Sequence, residues 1–234
     1  MAAPDFQPPH EAAPEPAWPT GWILPVIESP ATTAPTRRAL LARLAAPAGL
    51  PAGTAPASFS PDAYETFAAA CARLVPDDGL GAAVDVAPAI DARLAAGHGD
   101  GWRYATLPPD GDAFRTGVAA LDAAAELAHA ERFCDLAPHD QDAILADAQH
   151  ARGPVFTSPA FAGFDARRWF ADWLAEAAGL FYAHPLAQQD IGYAGFADAG
   201  PGSPGGPADA PGWTRIGLGE REDREPEPLT ASPL

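Results

Sequence analysis

Half of this chain's apolar residues are alanine. Of 234 residues, 111 are hydrophobic, and 56 of those are Ala. Val and Ile, the β-branched apolar residues that fill buried sheets, number only 6 each. Ala has the highest intrinsic helix propensity, and a large buried sheet built without Val and Ile is hard to pack. Leu, Ile, Val and Phe together supply 42 residues. With so few large side chains and a formal net charge of −17, the composition lies close to that of disordered chains. The expectation is an all-α protein: a single compact helical domain of five to six helices with Pro/Gly-rich extended tails.

The charge excludes whole classes of partner. The chain has 14 Arg, no Lys and 31 acidic residues. A nucleic-acid binder neutralises phosphates with a basic face, and an anionic membrane surface makes the same demand. Neither nucleic acid nor direct membrane insertion is therefore expected. No apolar stretch approaches the roughly 18 residues that span a bilayer. The start, Met1-Ala2-Ala3-Pro4-Asp5, lacks a basic segment followed by an apolar run, the mark of an ordinary secretory signal. The two cysteines, Cys71 and Cys134, stand 63 positions apart with no CxxC, which argues against a zinc module or a disulfide scaffold. Two buried thiols are the preferred reading and one disulfide the alternative.

Proline divides the chain. Nine of its 28 Pro fall within residues 1–35 and seven within 200–234, so 1–35 reads as a Pro/Ala-rich extended arm, 36–199 as the helical domain, and 200–234 as a Gly/Pro-rich acidic tail. The arm contains an apolar patch from Trp18 through Trp22 to Ile27, suited to docking on something. Residues 36–46 read as a short helix N-capped by Thr36. Its Arg37-Arg38 before Leu40-Leu41 admits a twin-arginine export reading, but Arg43 interrupts any apolar run. Ser60 and Pro61 open a helix over 60–75, with Tyr64, Phe67, Ala68, Cys71, Leu74 and Val75 on one face. A helix over 84–96, starting near Ala87, turns Val84, Ala87, Ile90 and Leu94 inward and Asp91 and Arg93 toward water. The longest helix spans 111–133, with Phe114, Val118, Leu121, Ala125 and Ala128 at helical spacing. Helices over 138–151 and 165–184 complete the set, the last capped by Asp165 and ended by Pro185.

Catalytic motifs are absent or out of context. Residues 200–205 spell GxGxxG, yet two prolines occupy the pattern and no strand precedes it, so a loop is the reading rather than a dinucleotide site. None of the six His forms HExxH. Asp77-Asp78 and Asp110-Gly111-Asp112 read as turn and cap residues. No catalytic, cofactor-binding or metal residue is selected, although a hydrolase using scattered carboxylates and His stays open. The aromatic load at the C-terminal end of the domain reads first as core. A partner surface is the sharper alternative, comprising Trp169, Trp173, Phe181, Tyr182, His184, Ile191, Tyr193 and, from the arm, Trp22.

An ordered string of short motifs carries a resemblance. Phe67 to Val75 followed by Pro76-Asp77-Asp78-Gly79, Ile90-Asp91-Ala92-Arg93-Leu94, Gly117-Val118-Ala119-Ala120-Leu121-Asp122, Phe133 to Leu136 with Gln141 to Leu145, and Tyr182 to Pro185 with Ile191-Gly192-Tyr193 resemble, in order and spacing, the gluconate 2-dehydrogenase subunit 3 family over about 60–195. The resemblance implies a small helical subunit with no catalytic centre or cofactor of its own. Such a subunit binds, stabilises or helps mature and export a flavin-dependent dehydrogenase of the glucose–methanol–choline type. FAD then belongs to that large subunit, and a cytochrome c subunit in the same complex is a further partner. The location is periplasmic if the pair is exported together and cytoplasmic otherwise. A stand-alone helical scaffold is the alternative function.

Overall fold

A computed structural model describes residues 23–28, 32–46, 48–77, 80, 83–99 and 104–191. Its described residues form helices and turns with no strand, as the composition predicts. The helices are α1 (Ile23–Glu28), α2 (Ala34–Leu44), α3 (Pro61–Leu74), α4 (Ala87–Ala95), α5 (Asp110–His129), α6 (Pro138–Gln149), α7 (Gly153–Phe156), α8 (Ala166–Tyr182) and α9 (Pro185–Asp190). Short 3₁₀ turns occupy Phe133–Asp135 and Pro159–Phe161. All six helices expected from the sequence are present, and α1, α7 and α9 are additional short ones. The chain divides into two compact units, one spanning Arg38–Ile191 and one that includes residues 23–28 and 32–37.

Helix boundaries follow local chemistry. The Ser60 hydroxyl accepts from Ala63 N at 3.3 Å, and Pro61 takes the first helical position of α3. The Asp165 carboxylate does the same for α8, accepting from Arg168 N at 3.1 Å. Helix α4 starts at Ala87, whose N–H donates to Asp85 Oδ1 at 2.9 Å. Three expectations need correction. Helix α2 begins at Ala34 rather than after Thr36, because Thr33 Oγ1 takes the Thr36 N–H. Helix α5 ends at His129, short of 133, because Ala130 turns left-handed at φ 57°. Ala128, expected inward, is exposed in the projecting last turn of α5.

In the larger unit, α3, α5, α6 and α8 each pack on the other three, and α4 lies against α3, α5 and α8. Their shared interior is aromatic. The Phe67 ring stacks on Phe59 with centroids 4.7 Å apart and on Trp173 at 5.5 Å. Trp169 lies 5.1 Å from Trp173, and Phe114 meets Phe67, Trp169 and Trp173 edge-on. Trp169 is 1% and Trp173 0% exposed. One glycine makes this packing possible: a Cβ on Gly117 would sit 2.2 Å from the Trp169 ring, so the indole lies directly on the α5 backbone. Fully burying rings of this size contributes a large share of the stability available to a domain this small.

In the smaller unit, at the described end of the arm's apolar patch, Leu24 is exposed, while Ile27 turns inward. Ile27 is fully buried, and Arg37 donates to Ile27 O from Nε and to Thr32 O from NH2, both at 3.1 Å. Helix α2 has no buried residue. Its C-terminal end belongs to the larger unit and is held there by a reciprocal pair: Arg43 donates to Ala183 O at 2.7 Å, and His184 Nε2 lies 3.0 Å from Arg43 O.

Candidate functional site

The polar residues of the motif string are engaged inside the fold. Asp91 is 1% exposed, and its two oxygens accept from Ala57 N at 2.6 Å and Ser58 N at 2.8 Å. Its carboxylate thereby pins the loop before α3 to α4. Asp122 Oδ1 accepts from the Thr66 hydroxyl at 2.7 Å and from Phe133 N at 3.1 Å. Gln141 donates from Nε2 to Phe133 O at 3.0 Å. Asp77 accepts from Val84 N at 3.1 Å, closing the turn between α3 and α4. A buried polar group is tolerated only when such partners replace water, and here each partner belongs to a different segment.

Asp91 and Arg93 correct the sequence reading, which turned both to solvent. Arg93 bridges two helices instead. It forms a bidentate pair with Glu176 on α8 through Nε and NH2, while NH1 donates to Asp110 Oδ2 at 2.8 Å and to His98 O at 2.7 Å. Burial opposes the charge, but the hydrogen bonds to Glu176 and Asp110 outweigh it and hold the guanidinium pKa above its ordinary value. The spacing held part of the signal: residues two apart point to different helix faces, so at least one of Asp91 and Arg93 had to leave the wet side, while the long Arg93 side chain reaches Glu176 and Asp110 from its own face. Asp110, read as a cap residue, is likewise part of this ion-pair group.

This group lines a cleft of about 330 Å³ among α4, α5 and α8. Phe114 and Trp169 line it, with the carboxylates of Asp110, Asp172 and Glu176 and the Arg93 guanidinium. A second cleft, of about 300 Å³, lies near Cys71, Asp77 and Asp85. Burial raises the Asp85 pKa there and pushes the Cys71 thiol well above its ordinary range. A thiol held protonated in this way is a poor nucleophile. Cys71 and Cys134 are both free, the first buried and the second half-buried. Among the described residues, no group of three or more His, Cys, Asp or Glu could hold a metal ion, and no helix is long and apolar enough to cross a membrane.

The predicted partner surface splits. Trp169, Trp173 and Phe181 are core: they are 1%, 0% and 6% exposed, and their ring faces are covered by Gly117, Phe67 and their own neighbours. Tyr182 and Ile191 remain exposed, at 49% and 52%. His184 is half-buried and caps α9, its Nδ1 accepting from Leu186 N at 3.2 Å. Burial lowers its pKa below the ordinary value. Trp22, Tyr193 and the 200–205 glycine pattern lie outside the described residues.

No curated protein and no solved structure matches this chain. A family model does match, that of gluconate 2-dehydrogenase subunit 3, over residues 61–200. That span holds the aromatic centre, the Asp91 and Asp122 anchors and the Arg93 cleft, and it covers more than half of the chain, so the protein belongs to the gluconate 2-dehydrogenase subunit 3 family.

Proposed function

We propose that this chain is the small accessory subunit of a flavin-dependent dehydrogenase of the glucose–methanol–choline type. It binds the large subunit, stabilises it and assists its maturation, and it is exported with it where the pair carries a signal. The large subunit holds FAD and oxidises a sugar or alcohol, and a cytochrome c subunit receives the electrons. The observation that carries this reading is the family match over 61–200. The fate of the motif residues supports it: Asp77, Asp91, Asp122 and Gln141 hold segments of the fold together.

Co-expression of this chain with a candidate flavin-dependent dehydrogenase large subunit from its own genome tests the proposal. The expected result is a pair that co-purifies, with more flavin-loaded and active large subunit than is obtained without the small one. A large subunit that folds, loads flavin and turns over fully on its own, with no stable pair, overturns it. Turnover by the isolated chain, abolished by substitution of one carboxylate or His, would establish a stand-alone enzyme instead.

A further inference from the structure

We infer that His184 is an acid-sensitive latch at the corner between α8 and α9: by taking up one proton it lets go of the start of α9, while the aromatic centre stays packed. The latch is independent of the subunit role proposed above. Both nitrogens of the ring are in use. Nδ1 accepts from Leu186 N at 3.2 Å and caps α9, and Nε2 lies 3.0 Å from Arg43 O. A carbonyl can only accept, so Nε2 carries the proton and Nδ1 is bare. Only the neutral ring in this one tautomer satisfies both bonds. A second proton has one place to go, Nδ1, where it would face the Leu186 N–H, donor against donor. The Nε2–H bond to Arg43 O survives that step, so the contact that protonation removes is the α9 cap.

Helix α9 depends on this cap. It has six residues, too few to form a stable helix without outside support. Pro185 takes its first position and has no N–H, so Leu186 N is the first donor to be satisfied, and His184 satisfies it. Beyond the cap, α9 rests on its packing against α8 and on the burial of Pro185 and Ala187. Opening the corner would expose both. Burial disfavours the charged ring, the bond to Arg43 O favours it, and the Arg43 guanidinium opposes it, and the balance lies below the ordinary value. Among the described residues, Arg43 is the one charged group acting on the ring. Arg38 on α2, Tyr182 on α8 and Asp190 on α9 are the other titratable side chains nearest along these elements, and Glu176 of α8 is paired with Arg93. The latch is therefore closed above the ordinary histidine value and opens as the pH falls through the lowered folded one.

Hydrogen exchange at the backbone amides of the full, isotope-labelled chain, corrected for intrinsic rates, tests this. Protection of the Leu186 amide, and of Gln188, which donates to His184 O at 3.0 Å, is expected to fall roughly threefold or more between about pH 7.5 and about pH 5. Amides of α3 and α5 are expected to keep theirs. The ring nitrogens should report the same step, Nδ1 bare at the higher pH and protonated at the lower. His184→Asn still offers Leu186 N an oxygen and cannot titrate, so it is expected to hold α9 equally at both. Arg43→Ala removes the like charge but keeps the backbone carbonyl, and is expected to move the midpoint to higher pH. Leu186 protection that ignores pH, or that falls as much in His184→Asn, overturns the latch. So does a ring that stays neutral at the lower pH, or a loss shared equally by α3 and α5, which is global acid unfolding.

Discussion

Single residues carry loads here that their types alone do not announce. Gly117 is required by close approach, since any Cβ would enter the Trp169 ring. Gly117→Ala should destabilise the domain by about 1–3 kcal/mol, the cost of overpacking a filled core, read from urea unfolding. Asp91 is the second case. Asp91→Ala leaves two backbone N–H groups without their charged acceptor. The expected loss is roughly 1.5–3 kcal/mol for each charge-assisted bond, and faster amide exchange at Ala57 and Ser58 should accompany it. Trp173→Ala should cost about 3–5 kcal/mol as a cavity mutation, because its ring stacks inside the aromatic centre. Loss of partner binding with an unchanged melting temperature would return Trp173 to the interface.

Whole elements differ in how firmly they are held. Helices α3, α5, α6 and α8 share the aromatic interior, whereas α2 has no buried residue and rests on the Arg43–His184 pair. Arg43→Ala should therefore raise hydrogen exchange across α2 and change global stability by no more than about 0.5 kcal/mol. The same junction gives a pH dependence. His184 Nδ1 accepts from Leu186 N, which requires that nitrogen to be unprotonated. Burial depresses the folded pKa below 6.5. The contribution of His184 is thus fully present above the unfolded value and is lost as the pH falls from there through the depressed folded one. Melting temperatures between pH 7.5 and 5 should show this loss, and His184→Asn, whose side-chain oxygen can still accept from Leu186 N, should flatten it. The boundary corrections also arise at this scale: α5 stops four residues early because Phe133 is held by Asp122 and Gln141, contacts from 11 and 8 positions away that no local pattern announces.

For the whole molecule, the family places this chain with subunit 3 of gluconate 2-dehydrogenase, and the Arg93 ion pairs with Asp110 and Glu176 tie α4, α5 and α8 together beside a cleft. Part of this was legible without coordinates. Abundant Ala with scarce Val and Ile implied helices, Ser60, Pro61 and Asp165 fixed two helix starts, and periodic apolar residues named Phe67, Phe114, Trp169 and Trp173 as core candidates. These are local or compositional properties, written in the order of residues along the chain. The sequence alone could not divide the aromatics between interior and surface, because Trp169 and Tyr182 look alike as members of one rich stripe. Nor could it show that Asp91 and Arg93 turn inward. Both outcomes depend on which distant segment supplies the other half of a contact: the Gly117 backbone for Trp169, the 57–58 loop for Asp91, Glu176 for Arg93. Only the packing of the helices against one another decides whether a charge meets a partner or water.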